Sequence, residues 1–184
     1  MFDLQTMKLF FAILALAANV VVVGYVLIAV VAVFSNAAAE TREQIHGLIH
    51  GYELFLGAIV AGVATLGSLY LSEIAHLIPC TLCWYQRIAM YPIAVILGIA
   101  AYRRDTMVRV YVAPLAVVGG VIAGYHYLIQ WFPSLEGTSC TTAVPCTTAW
   151  FRVFGFISIP YMALSAFTLV LVLLWIVRSS ESPA

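Results

Sequence analysis

Two pairs of cysteines are the residues of this sequence whose types and spacing could do redox chemistry. Cys80 and Cys83 are separated by two residues, and Arg87 follows four positions after the second of them. Cys140 and Cys146 form a second pair, separated by five residues. A CxxC pair alone is ambiguous, because it also serves zinc half-sites and occurs by chance. Zinc would need two further ligands, which the second pair could supply, and inert structural thiols are a third interpretation.

The composition places these cysteines in a membrane protein. The chain has 184 residues, of which 64% are hydrophobic and only 9% are charged, whereas close to a quarter of the residues of a soluble domain typically carry charge. The formal net charge is zero, and the sequence contains no basic run of the kind that neutralises a nucleic-acid backbone. We therefore expect a lipid bilayer around the protein and no nucleic acid as a partner.

Five apolar segments are long enough to cross a ~30 Å hydrocarbon core. The predicted spans are Leu9–Phe34, Leu54–Leu71, Ile88–Tyr102, Met107–Phe132 and Phe154–Val177. The predicted fold is an all-α polytopic membrane protein, with a four-helix transmembrane bundle plus an additional N-terminal transmembrane helix. We divide the chain into this additional helix (1–35), a polar connector or interfacial segment (36–53), a four-helix redox domain (54–178) and a polar tail (179–184).

The arginines predict the orientation of the bundle. Arg103, Arg104 and Arg109 lie between the third and fourth spans, and short loops rich in arginine tend to be cytoplasmic. Both cysteine pairs then lie on the extracytoplasmic side, where an oxidising environment favours disulfide chemistry over zinc. The N-terminus also lies outside with Lys8, which is a mild violation of the same tendency.

The N-terminal addition has several open interpretations. Its first segment could be a cleaved signal peptide, because Ala37–Ala39 resembles a cleavage site, although the apolar part of a signal is usually ~7–15 residues long. In the polar stretch, Glu43, His46, His50 and Glu53 would share one face of a helix. Two imidazoles one turn apart could bind a metal, but the solvated face of an interfacial helix is the commoner explanation.

Electrostatics predicts a difference between the two sulfurs of the CxxC pair. A helix N-terminus or a nearby cation lowers the pKa of a thiol. The third span begins close to Cys83, and Arg87 lies one turn into it, so we expect Cys83 to be the better stabilised anion. Cys80 should be the sulfur more exposed to a partner. An alternative role for Arg87 is an interfacial anchor that reaches the lipid headgroups.

The second cysteine pair lies in a loop over Pro133–Thr148 that is rich in Ser, Thr, Pro and Gly. Cys140 and Cys146 would close a short, mobile disulfide there. A structural staple is one interpretation. Mobility favours another, because thiol–disulfide exchange passes through mixed disulfides and a relay needs a pair that can move between an outside protein and a fixed inner pair.

Four motifs together resemble a known family. They are Cys80-Thr-Leu-Cys83-Trp-Tyr-Gln-Arg87-Ile-Ala-Met-Tyr-Pro92, then Tyr125-His126-Tyr127, the loop cysteine pair, and Gly155-Phe-Ile-Ser-Ile-Pro160. They closely resemble the disulfide bond formation protein B family, in its BdbC-like branch, over about residues 54–178. The family core has four spans, so residues 9–53 are an addition to which the resemblance assigns no function.

The resemblance implies a membrane thiol–disulfide oxidoreductase of the bacterial or archaeal cytoplasmic (inner) membrane. Cys140 and Cys146 would reoxidise a soluble or tethered thioredoxin-fold oxidase outside the membrane. Cys80 and Cys83 would reoxidise that pair and pass the electrons to a membrane quinone, ubiquinone or menaquinone, beside Cys83. Such a protein would support disulfide bond formation, and no metal would be required.

The resemblance also assigns three residues to the quinone. Arg87 matches the quinone-side arginine of the family, Gln86 lies next to it, and His126 resembles a histidine near the quinone ring. An interfacial histidine bonded to a backbone carbonyl is the alternative for His126. Two other functions stay open for the whole chain: a reductive thiol electron conduit, and a non-enzymatic membrane subunit with two structural disulfides.

Overall fold

The described part of the chain folds into six α-helices, and a long connection between the last two carries the second cysteine pair. The computed structural model describes residues 3–137, 140 and 144–181, with the backbone alone for 178–181. The helices are α1 (Leu4–Val31), α2 (Asn36–Ile49), α3 (Glu53–Leu69), α4 (Thr81–Arg103), α5 (Arg109–Trp131) and α6 (Ile159–Glu181). Residues 182–184 of the predicted polar tail lie outside the described residues.

Within these residues, five helices are long and apolar enough to cross a membrane. They are α1, α3 with its π-helical continuation Tyr70–Ile74, α4, α5 and α6. A helix satisfies its backbone hydrogen bonds internally, which a segment in hydrocarbon must do. The prediction of an all-α polytopic membrane protein with five spans is confirmed.

The third span begins earlier than predicted. We expected it from Ile88, but α4 begins at Thr81, so Cys83 lies in its first turn. Cys80 is the N-cap, with an extended backbone at φ −74° and ψ 173°. Because Cys80 itself is extended, the helix starts only after this residue. The sulfur of Cys80 therefore sits at the positive end of the α4 dipole.

The fifth span begins later than predicted. We expected helix from Phe154, but the backbone of Val153 and Ile157 pairs across a tight turn at 2.9 and 3.0 Å. Phe154 and Gly155 have positive φ angles of 52° and 81°, a conformation that suits glycine and prevents a right-handed helix. The apolar side chains of this turn look like part of a span in the sequence, and α6 starts only at Ile159.

Helices α3 to α6 share one apolar core. Ile93, Leu97, Val112 and Phe167 are fully buried in it. Gly119 of α5 allows the ring of Phe167 to lie against the backbone, since a Cβ at this glycine would overlap that ring. Small residues at helix crossings permit this close packing in a membrane bundle.

The additional helix α1 packs along α6. The side-chain amide of Asn19 donates to the hydroxyl oxygens of Tyr161 at 3.0 Å and Ser165 at 2.8 Å. Hydrogen bonds of this kind hold helices together where water is absent. Nearer the N-terminus, the ring of Phe11 lies against Gly67 of α3, where a Cβ would be 2.7 Å from the ring. The helix is thus a docked part of the bundle.

Helix α2 docks on α1 through one buried histidine. The imidazole of His46 lies 3.0 Å from the hydroxyl of Tyr25, and burial lowers the pKa of His46. The predicted four-residue face does not form, because α2 ends at Ile49 and the backbone leaves the helix at His50. His50 instead lies 3.8 Å from Glu53 of α3.

All four cysteines lie at one end of the bundle, which we call the cysteine end. The N-terminal end of α1 reaches it as well, because the amino group of Lys8 lies 4.9 Å from the centre of the Phe151 ring. The connection through Arg104 lies at the opposite end, together with α2. Exposed aromatic side chains mark both ends: Trp84, Trp131 and Trp150 at the cysteine end, and Tyr52, Tyr102 and Tyr111 at the other. Which end faces the cytoplasm stays a prediction.

Candidate redox site

The CxxC pair places two sulfurs against each other at the start of α4. The Sγ atoms of Cys80 and Cys83 are 3.0 Å apart. Cys80 is only 5% exposed, and Cys83 is half-buried. The prediction that Cys80 is the more exposed sulfur is wrong, because its N-cap position turns it inward, toward the second cysteine pair.

The second pair is bonded as a disulfide and lies directly over the first. Cys140 and Cys146 are linked, and Cys146 is fully buried at 0% exposure while Cys140 is half-buried. Cys80, Cys146 and Ile129 belong to one apolar cluster, against which Cys83 and Cys140 pack. The structure therefore brings together all four cysteines that the sequence analysis singled out.

His126 of α5 lies between the two pairs. Its Nε2 is 3.6 Å from the Cys80 sulfur and 3.2 Å from the carbonyl oxygen of Cys146. Its Nδ1 is 2.9 Å from Nε2 of Gln86. An amide nitrogen can only donate, so Nδ1 accepts and the neutral ring carries its proton on Nε2. That proton faces both Cys80 and Cys146, and the side chain is 2% exposed.

The hydrogen-bond donors converge on Cys80. The Cys83 thiol, the nearest donor, lowers the pKa of Cys80, and His126 lowers it further, which together outweigh the opposing effect of burial. The helix dipole acts in the same direction at the N-cap. We expected Cys83 to be the better stabilised anion, but the geometry favours Cys80. The sequence could not show this, because His126 lies far from the CxxC pair along the chain.

Arg87 points along α3. Its Nε donates to the hydroxyl of Ser68 at 3.0 Å, and a terminal nitrogen donates to the Ser68 carbonyl oxygen at 3.1 Å. The guanidinium also lies over the Trp84 ring at 5.2 Å, and the hydroxyl of Tyr91 donates to Ser68 at 3.3 Å. These bonds hold the cation inside the bundle, which argues against a simple headgroup anchor.

A large apolar cavity opens beside the second sulfur. Its volume is about 410 Å³, and it is lined by residues of α1, α3, α4 and α6 and of the segment before α4. Cys83, Gln86, Arg87 and Tyr91 supply polar atoms to its wall at the cysteine end. His126 does not line this cavity, so the structure separates it from Arg87, with Gln86 as the link between them. The predicted role of these three residues in quinone binding stays a prediction.

Three donor atoms at this site could also ligate a metal. The sulfurs of Cys80 and Cys83 and a ring nitrogen of His126 lie within 4.8 Å of one another. This is the type of ligand set that zinc accepts. Glu136, Cys140 and Cys146 form a second group of this kind, but a disulfide offers no thiolate.

Sequence reasoning missed two polar residues of the site. Ser68 holds Arg87, and it could have been noticed as one of the few hydroxyls in an otherwise apolar span, where polar groups tend to mark sites. Gln130 lies with Cys80, Cys83 and His126 around a small cavity of about 10 Å³, close to the volume that one water needs. No local pattern distinguishes Gln130 from an interfacial glutamine.

Comparison with known proteins agrees with this geometry. A family described as "Disulfide bond formation protein DsbB" matches residues 52–177. Disulfide bond formation protein C of Bacillus subtilis (strain 168) is 47% identical over 130 residues, which is 70% of this chain and 94% of that protein. The "Probable disulfide formation protein C 2" of Bacillus anthracis is 43% identical over 129 residues, 70% of this chain and 92% of the relative.

A similar protein occurs outside Bacillus. The "Probable disulfide formation protein" of Coxiella burnetii (strain Dugway 5J108-111) is 42% identical over 121 residues, which is 65% of this chain and 82% of that protein. No solved structure gives a significant match. The matched family residues begin at Tyr52, immediately before α3, and leave α1 and α2 outside. With two adjacent cysteine pairs in a helical membrane bundle, the chain therefore belongs to the DsbB family, in its BdbC-like branch, and has a membrane redox role in disulfide formation.

Proposed function

We propose that this protein is a quinone-dependent protein-disulfide oxidoreductase that reoxidises a thioredoxin-fold dithiol oxidase. One observation carries the proposal: the four cysteines form a continuous path between two different environments. Cys140 is half-buried in a loop at the cysteine end, and Cys83 lines the 410 Å³ apolar cavity. Cys146 and Cys80 lie buried between them in one cluster.

The first step is exchange with the soluble partner. A thiolate of the reduced partner attacks Cys140, the accessible sulfur of the disulfide, and Cys146, whose carbonyl oxygen lies 3.2 Å from Nε2 of His126, leaves as a thiolate. The second partner thiol then attacks the mixed disulfide. The partner ends as a disulfide, and Cys140 and Cys146 have taken up its two electrons and two protons.

The second step transfers these electrons to the CxxC pair. The reduced Cys140–Cys146 pair attacks an oxidised Cys80–Cys83 disulfide at Cys80, the sulfur that lies in the cluster with Cys146. This attack releases Cys83 as a thiolate and links Cys80 to the attacking cysteine in a mixed disulfide. The other cysteine of the loop pair then attacks this mixed disulfide, and Cys80 leaves as a thiolate. His126 and the α4 N-terminus stabilise that thiolate, and low-pKa thiols leave faster.

Reoxidation of Cys80 and Cys83 needs an acceptor of two electrons and two protons, and a bound membrane quinone would supply that chemistry. The residues around the cavity suit such a group. Its wall is mostly apolar, and the half-buried Cys83 and the guanidinium of Arg87 both line it at the cysteine end. A fixed cation there would stabilise negative charge on a carbonyl oxygen. Ubiquinone and menaquinone both have this amphiphilic form.

The proposed orientation places the cysteine end outside the cytoplasm of a bacterial or archaeal cell. The opposite end carries Arg103, Arg104 and Arg109 in a short connection, which is typical of a cytoplasmic loop. In this orientation a partner of the disulfide oxidase type reaches Cys140 from the aqueous side.

Three alternatives differ from this proposal in what they require or predict. A reductive conduit from the cytoplasm would need cysteines at the opposite end, and all four cysteines of the sequence lie at the cysteine end. A non-enzymatic subunit with structural disulfides would leave the redox state of a partner unchanged. A zinc site on Cys80, Cys83 and His126 would give a purified protein with stoichiometric metal.

The test combines purified protein, a reduced thioredoxin-fold dithiol and a quinone, with quinone absorbance as the readout. We expect quinone reduction by the wild type and none by Cys83→Ser. Cys140→Ser should block oxidation of the protein partner, yet its CxxC pair should still reduce quinone when a small dithiol replaces the partner. No quinone reduction by the wild type, or undiminished reduction by Cys83→Ser, would overturn the proposal. Bound zinc in an inactive wild type would favour the metal site.

A further inference from the structure

We propose that the additional helix α1 forms a wall of the quinone site and holds the apolar tail of the quinone. The inference rests on the proposed function and concerns a part of the chain that lies outside the matched family residues. It follows from the position of α1 along the cavity, from the polarity of the two cavity ends, and from the contacts that dock the helix.

Helix α1 contributes a continuous face to the cavity. The lining residues on this helix are Phe11, Leu14, Ala15, Ala17, Ala18 and Val21. From Phe11 to Val21 the helix rises about 15 Å. The cavity is thus an elongated slot that runs down the bundle, and α1 flanks it over its length.

The slot is polar at one end and apolar along the rest. Phe11 contacts Gly67, which is next to Ser68, the residue that holds Arg87. The N-terminal part of α1 therefore lies at the same level in the bundle as the Arg87 guanidinium. Toward Val21 the wall consists of side chains such as Ile59 and Leu169. Ser165 in this part of the wall is polar, but its hydroxyl already accepts from Asn19 and donates to the Tyr161 carbonyl.

This distribution suits an amphiphile with a polar ring and a hydrocarbon tail. A ring beside Cys83 and Arg87 would leave its isoprenoid tail to follow the slot past Ala15 and Ala18. Small side chains at these positions leave the space in which the tail would lie. Without α1, the same groove between α3 and α6 would face lipid, because α1 packs on α6.

The docking contacts make α1 a fixed wall. Asn19 bonds two residues of α6, as described above, and Phe11 closes the slot over Gly67. Asn19 lies one position after Ala18 in the sequence, so the polar contact fixes the helix at the depth where its small residues line the slot. An apolar helix that merely crossed the membrane nearby would need no such contact.

A photolabelling experiment tests where the tail lies. The full-length protein is incubated with a quinone that carries an azide at the end of a short isoprenoid tail, irradiated, and digested for mass spectrometry. We expect label on residues 11–21, and less label when excess unmodified quinone competes. Label confined to α3, α4 or α6 would overturn the assignment of α1 as a wall.

A matched pair of variants tests the same point by kinetics. Both Val20 and Val21 have exposed side chains, but only Val21 lines the slot. We expect Ala18→Phe and Val21→Phe to raise the KM for a long-tailed quinone about tenfold, the size of effect that a misfitting apolar pocket produces. Val20→Phe should match the wild type. A tailless quinone analogue should be affected less than the long-tailed one.

The outcomes separate this inference from the proposed function. If the wild type reduces quinone but Ala18→Phe and Val21→Phe behave like Val20→Phe, the redox function stands and the wall is disproved. If the wild type reduces no quinone, the proposed function itself fails. Thiol exchange of each variant with a reduced partner, measured without quinone, checks that the variant is folded.

Discussion

The Nε2 of His126 lies 3.6 Å from the sulfur of Cys80, and the same nitrogen lies 3.2 Å from the carbonyl oxygen of Cys146. One imidazole therefore contacts both cysteine pairs. Gln86 fixes its tautomer from the other side at 2.9 Å. In the proposed function, a histidine in this position would assist the exchange between the pairs, where a thiolate must form and leave at each step.

Replacing His126 by Ala should raise the pKa of Cys80, because an N–H that stabilises the thiolate is lost. The alkylation of Cys80 by iodoacetamide, followed in reduced protein by mass spectrometry, should then have its midpoint at higher pH. Exchange between the two pairs should slow by about tenfold, in line with the loss of a hydrogen bond to a charged group. Tyr127→Phe is the control, since that hydroxyl bonds the Phe156 carbonyl. An unchanged alkylation profile would contradict the role of His126.

Replacing Ser68 by Ala should remove one of the two hydrogen bonds that the Arg87 guanidinium donates to this residue. The hydrogen bond from Nε to the hydroxyl is lost, and the backbone bond to the Ser68 carbonyl remains. We expect the KM for quinone to rise about fivefold, because a loosened cation positions the ring less well and one hydrogen bond contributes roughly 1 kcal/mol. Steady-state quinone reduction is the measurement.

Thr65→Val is the matched control for this change. Thr65 lies three residues before Ser68 on α3, and its buried hydroxyl has no hydrogen-bond partner among the described residues. Equal effects of the two variants would show that the loss of any hydroxyl from this helix is responsible, and would contradict the role of Ser68 in holding Arg87.

Replacing Asn19 by Leu should weaken the docking of α1 on α6. Two interhelical hydrogen bonds are lost, each worth about 0.6–2 kcal/mol in membrane helices. Thermal denaturation in lipid nanodiscs should show a lower midpoint. Thr168→Val is the control, because its hydroxyl bonds only α6 itself, through the carbonyls of Leu164 and Ser165. A midpoint as high as that of the wild type would mean that packing alone holds α1.

Replacing Gly119 by Ala should destabilise the bundle by about 1–3 kcal/mol, the usual cost of overpacking a core. The added methyl would overlap the fully buried Phe167 ring and come within 3.0 Å of the Ala89 Cβ. Gly120→Ala offers a control at the next residue, where the nearest atom is the Phe167 Cβ at 3.6 Å. The measurement is thermal unfolding in detergent, and equal midpoints for the two variants would contradict this packing.

Apolar runs predicted the five spans well, since a membrane helix must be long, apolar and internally hydrogen-bonded. The errors fall where local backbone conformation decides. Phe154 reads as part of an apolar span, but its positive φ and that of Gly155 delay α6 to Ile159. The third span was predicted from Ile88, directly after the polar Gln86 and Arg87, although both of these residues are helical.

The four cysteines, Gln86, Arg87 and His126 of the candidate site could be singled out from the sequence, whereas Ser68 and Gln130 were missed and the geometry was not predictable. The spacing of the cysteines and the position of Arg87 identified the reactive segment. Burial of Cys80, the donation from His126 and the support of Arg87 by Ser68 depend on contacts between residues distant in the chain. The hydrophobic periodicity of the sequence carries no information on such contacts. The proposed role of α1 was equally hidden, because the sequence of an apolar helix looks the same whether the helix lines a cavity or faces lipid.

The aromatic side chains at the two ends of the bundle set the depth at which the chemistry takes place. Trp84 lies between Cys83 and Arg87 in the chain, and Trp131 and Trp150 are exposed at the same end, where tryptophan prefers the interface between headgroups and hydrocarbon. The first turn of α4 therefore lies at a boundary between two solvents. In the proposed function, a partner that never enters lipid reaches Cys140 and an electron acceptor that never leaves lipid reaches Cys83, so the phase boundary keeps the two reactants apart and the four cysteines alone connect them.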